Sequence, residues 1–160
     1  MAQLKSQEDT SYLLAFRGLQ GAQIASIAAT PLYLLSAIRH RRFSIRKFAK
    51  ANWVVPIFGA VTGAGVGWAN ATQYTPAVLS RRVEEVRLDV NRIRRDDFHL
   101  IGSFVGAIAF PAIFLRSAGL VNGILGGAGI GGAIGIGAHY YSDYAGIEIP
   151  NAELVPAAKQ

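Results

Sequence analysis

Residues 59–67, GAVTGAGVG, and 123–135, GILGGAGIGGAIG, put glycine at every fourth position: Gly59, Gly63 and Gly67 in the first, Gly123, Gly127, Gly131 and Gly135 in the second. In water a helix built this way is poor, because each Gly costs about 1 kcal/mol relative to Ala. In hydrocarbon the backbone has no other hydrogen-bond partner, so the helix persists, and small residues one turn apart form a flat stripe for a second helix. A shorter stripe, Gly102 and Gly106, lies in a further apolar stretch. The pattern predicts that the two ladders pack close, either on each other or against a partner's helix.

The distribution of charge agrees. Hydrophobic residues make up 51% of the chain and charged ones 16%, and uncharged runs cover 18–38, 51–80, 98–115 and 117–142. About 20 apolar residues suffice to cross a bilayer. The expected fold is an all-α membrane protein with four transmembrane helices, near 18–38, 52–72, 98–115 and 120–141, arranged as two hairpins. A tail is expected over 1–17 and an extended one over 143–160. Trp53 and Trp68, 15 positions apart, suit two interfacial anchors on the second span.

Two charged segments separate the spans. Residues 39–50, RHRRFSIRKFAK, hold six Lys/Arg and no acid, so Arg41, Arg42, Arg46 and Lys47 are candidates for contact with phospholipids, anionic lipid such as cardiolipin included. Residues 81–97 mix both signs around Val83, Val86, Val90 and Ile93, which recur at intervals of three and four. That is one apolar stripe on a charged helix, expected outside the bilayer and suited to a partner's surface through Arg92, Arg94 and Arg95. All ten acids fall on the side of the termini and none on the side of 39–50, which orients the basic loop inside and both termini outside.

Little in the chain points to catalysis. There is no cysteine, which removes thiolate nucleophiles and cysteine metal sites. Gly127, Gly129 and Gly132 match G-x-G-x-x-G, but they lie deep in an uncharged run without the strand and acid that a dinucleotide site needs. His40, His99 and His139 form no metal-ligand spacing; His139 and Asp143 share a helix face, and Asp96 and Asp97 are placed to cap the third span. No catalytic residue, cofactor, metal, nucleic acid or small-molecule substrate is expected.

The stretch from Arg95-Asp96-Asp97-Phe98-His99-Leu100-Ile101-Gly102-Ser103 through Phe110-Pro111-Ala112-Ile113-Phe114-Leu115-Arg116 to Asn122-Gly123-Ile124-Leu125-Gly126-Gly127-Ala128-Gly129 resembles fungal-type membrane accessory subunits of mitochondrial respiratory complex I. The resemblance implies a non-catalytic structural or assembly subunit of the membrane arm, in the inner membrane among other membrane subunits, with termini in the intermembrane space. Four glycine-rich spans also resemble the Tim17/Tim22/Tim23 type of inner-membrane protein translocase, from which the absence of cysteine departs. A small transporter or channel subunit is a third reading, against which no span carries a mid-membrane Lys, Arg, Asp or Glu.

Overall fold

A computed structural model describes residues 2–147, with side chains described from Lys5 onward. The elements are α1 (Ala2–His40), α2 (Ile45–Ala71), α3 (Pro76–Arg87), α4 (Val90–Ala118) and α5 (Leu120–Tyr144), and there is no strand among the described residues. Four of them, α1, α2, α4 and α5, are long and apolar enough to cross a membrane. At 1.5 Å per residue the 25 residues of α5 reach about 38 Å and the 39 of α1 about 58 Å, against a hydrocarbon core of about 30 Å.

The glycine ladders determine which helices touch. A Cβ on Gly59 would overlap the carbonyl of Gly21, one on Gly63 the carbonyl of Arg17, and Gly67 lies against Arg17 and Leu13. Positions 21, 17 and 13 thus meet 59, 63 and 67 in reverse order, so α1 and α2 run antiparallel. On α5, Gly127 and Gly131 meet the carbonyls of Gly106 and Gly102, Gly135 meets that of Phe98, and Gly123 meets Pro111. Each ladder therefore packs on the helix next to it in the chain; the ladders of α2 and α5 do not pack on each other. α2 and α5 do touch, but through Gly126 and Gly129, which receive the backbone of Ala49 and Asn52. The reason is that α5 carries glycine on two faces, one toward α4 and one toward α2. It is accordingly the most enclosed helix, with 44% of its apolar window buried against 6% in α4.

Several boundaries differ from those the sequence suggests. Residues 2–17 are not an open tail, because α1 is helical from Ala2. Leu13 and Phe16 stabilise this extension by burying against Ala71 and Leu79, with Val86 packed alongside, so the end of α1, the end of α2 and α3 share a small core. The helix expected over 81–97 is broken. Asp89 starts α4 anew by accepting a hydrogen bond from the Arg92 N–H at 3.2 Å, an N-cap that satisfies one of the free amides of the first turn. The stripe is split with it: Val83 is buried on α3, whereas Val90 and Ile93 are exposed on α4. Asp96 and Asp97 sit inside α4 and cap nothing. At the other end α5 extends to Tyr144, while residues 148–160, most of the expected extended tail, lie outside the described residues.

The two short turns use left-handed backbone. Arg41, at φ 50°, closes α1, with the Arg42 N–H donating to the Ala37 carbonyl at 3.1 Å and the Arg41 N–H to that of Ile38 at 3.2 Å. This Schellman closure is usually made by glycine, and the Arg there conceals it in the sequence. Gly119, at φ 79°, is the single residue between α4 and α5.

Replacing Gly131 with Leu is expected to lower the stability of the detergent-solubilised bundle by about 1–3 kcal/mol, because the side chain meets the Gly102 carbonyl rather than another side chain that can move. Gly137→Leu, at a position with nothing within 4 Å, is the control and should be no less stable than the parent, gaining up to about 1 kcal/mol of helix propensity. Thermal unfolding of both variants checks this; equal melting would refute the packing account.

Candidate functional site, a polar seam inside the bundle

α1 carries Gln20, Gln23, Ser26, Thr30 and Tyr33 at intervals of three, three, four and three, a polar stripe on an otherwise apolar helix. The stripe faces inward, and Gln23 and Ser26 are buried at 3% and 1% exposure. Gln23 and Thr30 are answered from other helices, and Tyr33 from the turn between α1 and α2. The Gln23 amide donates to the Asp96 carboxylate at 2.7 Å, and that carboxylate also accepts from Arg95 at 3.3 Å. The Thr30 hydroxyl donates to Asn52 Oδ1 at 2.7 Å, while the Asn52 amide donates to the Phe48 carbonyl at 3.0 Å. Tyr33 closes the row at the turn, donating to the Ser44 carbonyl at 2.9 Å and accepting from the Ser44 N–H at 3.1 Å. Phe43 and Phe48 pack around its ring.

At mid-height a cavity of about 220 Å³ opens on the seam, with Ser26, Asn52, Trp53, His99 and Ser103 among its walls. His99 Nδ1 is buried there without a protein partner among the described residues. A cavity of this size with several polar groups has room for ordered water, which is how such groups are usually satisfied. Ser103, His99 and Asp96 follow one face of α4, a composition that suggests an acid–base–nucleophile series. The geometry does not assemble it. Asp96 is bonded to Gln23 and Arg95, and no hydrogen bond joins Ser103 to His99. What the seam supplies is hydrogen bonding between helices in a setting where few other partners exist.

Trp53 belongs to the same interior. Its indole N–H donates to Asn122 Oδ1 at 3.1 Å, tying α2 to the first turn of α5, so it is a packing residue; Trp68 is exposed. His139 is buried, 3.5 Å from the Asp143 carboxylate, and its ring lies against Phe98 and Tyr140. Among the described residues no three His or acid side chains gather as a metal site. Gly127, Gly129 and Gly132 are all within α5, where they serve helix contacts.

The charged candidates divide. Arg42 and Lys47, with Tyr33, Ser36 and His40, line an open cavity of about 430 Å³ beside the turn, and Arg41 and Arg46 are exposed next to it. Arg92 and Arg95, by contrast, are engaged within the chain, with Asp89 and Asp96. Arg94 is half-buried on the same turn of α4. Sequence reasoning missed Gln23 and Asn52; the three-and-four spacing of the polar residues of α1 was the available signal.

The fold and seam define a class: an all-helical bundle with four helices suited to a membrane, joined through glycine contacts and a buried polar row. More particularly, the chain belongs to the family described as a protein of unknown function (DUF1757), whose match runs over residues 8–133. That range holds the whole polar seam and excludes the His139–Asp143 pair. No curated protein and no solved structure matches the chain.

Removing Thr30 and Asn52 separately and together, each to Ala, is expected to reveal a coupling of about 0.6–1.7 kcal/mol, the range for hydrogen bonds between membrane helices. Unfolding of the four proteins in one detergent measures it, and purely additive losses would show that the bond contributes nothing.

Proposed function

We propose that this is a multi-pass membrane protein whose α1–α2 and α4–α5 hairpins cross the bilayer, with α3 outside it, and that it acts as a non-catalytic structural subunit of a larger membrane assembly. The observation that carries the reading is the placement of Gly65 and Gly137. Both face outward on membrane-length helices, and a Cβ on either would meet nothing within 4 Å. A glycine that weakens its helix by about 1 kcal/mol without a close neighbour in its own chain suits a site where another subunit's helix approaches. Exposed Arg81, Arg82, Glu84 and Glu85 on α3 add a mixed-sign surface for a polar partner. Because Arg92 and Arg95 hold α4 together, the docking charge is assigned to α3 instead.

The resemblance over 95–129 makes the membrane arm of respiratory complex I, in the mitochondrial inner membrane with termini toward the intermembrane space, the assembly to test first. Anionic phospholipid at the Arg42 and Lys47 cavity fits the basic turn. A translocase of the Tim type is the alternative assembly.

Gly65→Leu is expected to leave the isolated bundle at least as stable as the parent, with a gain of up to about 1 kcal/mol from helix propensity, yet to reduce its incorporation into the assembly. Native gels of gently solubilised membranes, stained for NADH dehydrogenase, read this directly. Migration of the unaltered protein only as a free monomer defeats the subunit reading, and crosslinking to precursor proteins without comigration moves the assignment to the translocase.

A further inference from the structure

Arg17 touches two cavities of opposite character. Toward the polar end it lines a space of about 290 Å³ together with Asn70, Tyr74, Arg82 and Arg92. Toward the apolar middle it heads a groove of about 440 Å³ that runs over Gly21, Ile24, Gly59, Thr62 and Val66. Both lie along the α1–α2 seam and meet at Arg17, since 24, 21, 17 and 13 on α1 and 59, 62, 63, 66 and 70 on α2 each follow one helix face. The glycines that allow close approach of the two helices leave this groove without side chains to fill it.

The charge in the upper space is incompletely balanced. Arg82 is paired with Glu85 at 3.2 Å and Arg92 with Asp89. Arg17 has only the neutral Gln20 amide oxygen, at 3.0 Å, and its Nε is buried without a partner. Arg17 and Arg92 also flank the same Phe16 ring, at 6.0 and 5.6 Å, so two guanidinium groups share one partly buried neighbourhood. A place of this kind favours an anion with several acceptor oxygens, and guanidinium matches phosphate geometry better than ammonium does. An apolar groove leading away from it favours a chain of methylenes on the same molecule.

We infer that the α1–α2 seam is a binding site for an anionic diacyl phospholipid, its phosphodiester headgroup at Arg17 and one acyl chain in the groove over Gly21 and Gly59. This rests on the membrane reading of the fold and not on the subunit reading. The site is distinct from the basic turn at Arg42 and Lys47, which lies at the opposite end of the bundle. Ile24, 70% exposed, marks the outer wall of the groove, so the lipid enters sideways from the bilayer.

The test uses the full chain carrying Arg42→Gln and Lys47→Gln, which remove the basic turn as a second anion site, purified in a neutral detergent and offered phosphatidylglycerol and phosphatidylcholine in equal amounts, with retained lipid read by native mass spectrometry. Phosphatidylglycerol is expected to be retained in preference, and Arg17→Gln to reduce that retention about fivefold, as for loss of one basic contact to an anionic lipid. Arg116→Gln, which removes an exposed charge at the other end, should change nothing. Thr62→Phe, which fills the groove and leaves every charge in place, should also release the lipid, and it keeps the test decisive if Arg17→Gln does not fold. Equal retention of the two lipids, or full retention in both Arg17→Gln and Thr62→Phe, overturns the site. Displacement by glycerophosphate as effective as by intact lipid also overturns it, because the acyl groove then has no part. Extraction of the native protein from membranes by carbonate is read alongside: release would overturn the membrane reading and the site with it, whereas resistance to extraction with no lipid preference would overturn the site alone.

Discussion

Everything in this bundle follows from carbonyl oxygens that approach α-carbons without side chains between them. At Gly21 against Gly59, and at Gly102 and Gly106 against Gly131 and Gly127, the helices meet backbone to backbone. Such contact gains dispersion energy over a long line, and it excludes any residue larger than glycine from these positions of closest approach. It also brings α1 and α2 close enough for short polar side chains to reach across, and the bond from Thr30 to Asn52 depends on that closeness.

The two devices have complementary effects. Small-residue packing along a repeating stripe does not by itself determine register well, since a shift of one turn brings one glycine against the next. The polar row removes that freedom. Moving α1 by a turn would leave Asp96, Asn52 and the Ser44 carbonyl without their partners, and an unmade hydrogen bond in an apolar interior costs more than a made one contributes. Glycine contact thus determines how near the helices lie, and the seam determines where along one another they stop.

The helices themselves were legible in the sequence because they are written in long uncharged runs and a four-residue glycine period, both local signals. Which helix each ladder packs on was not, because α5 carries glycine on two faces and periodicity alone cannot say which neighbour takes which face. The break at Asp89 was obscured because Val83, Val86, Val90 and Ile93 continue an apolar period through it, and the cap that causes it depends on one carboxylate reaching the Arg92 amide. Arg41 hid the left-handed turn that closes α1, which glycine would have announced. Of the candidate residues, the ladder glycines could be read from spacing, whereas the roles of Gln23, Asn52 and His99 depend on side chains brought together from distant parts of the chain.

The connections are also unequal at the two ends. One end has only residues 41–44 between α1 and α2 and Gly119 alone between α4 and α5. The other carries the extension of α1, all of α3 and the first turns of α4, with a small core of its own. The first end therefore offers short turns and exposed basic side chains, whereas the folded surface outside the four long helices is concentrated at the second.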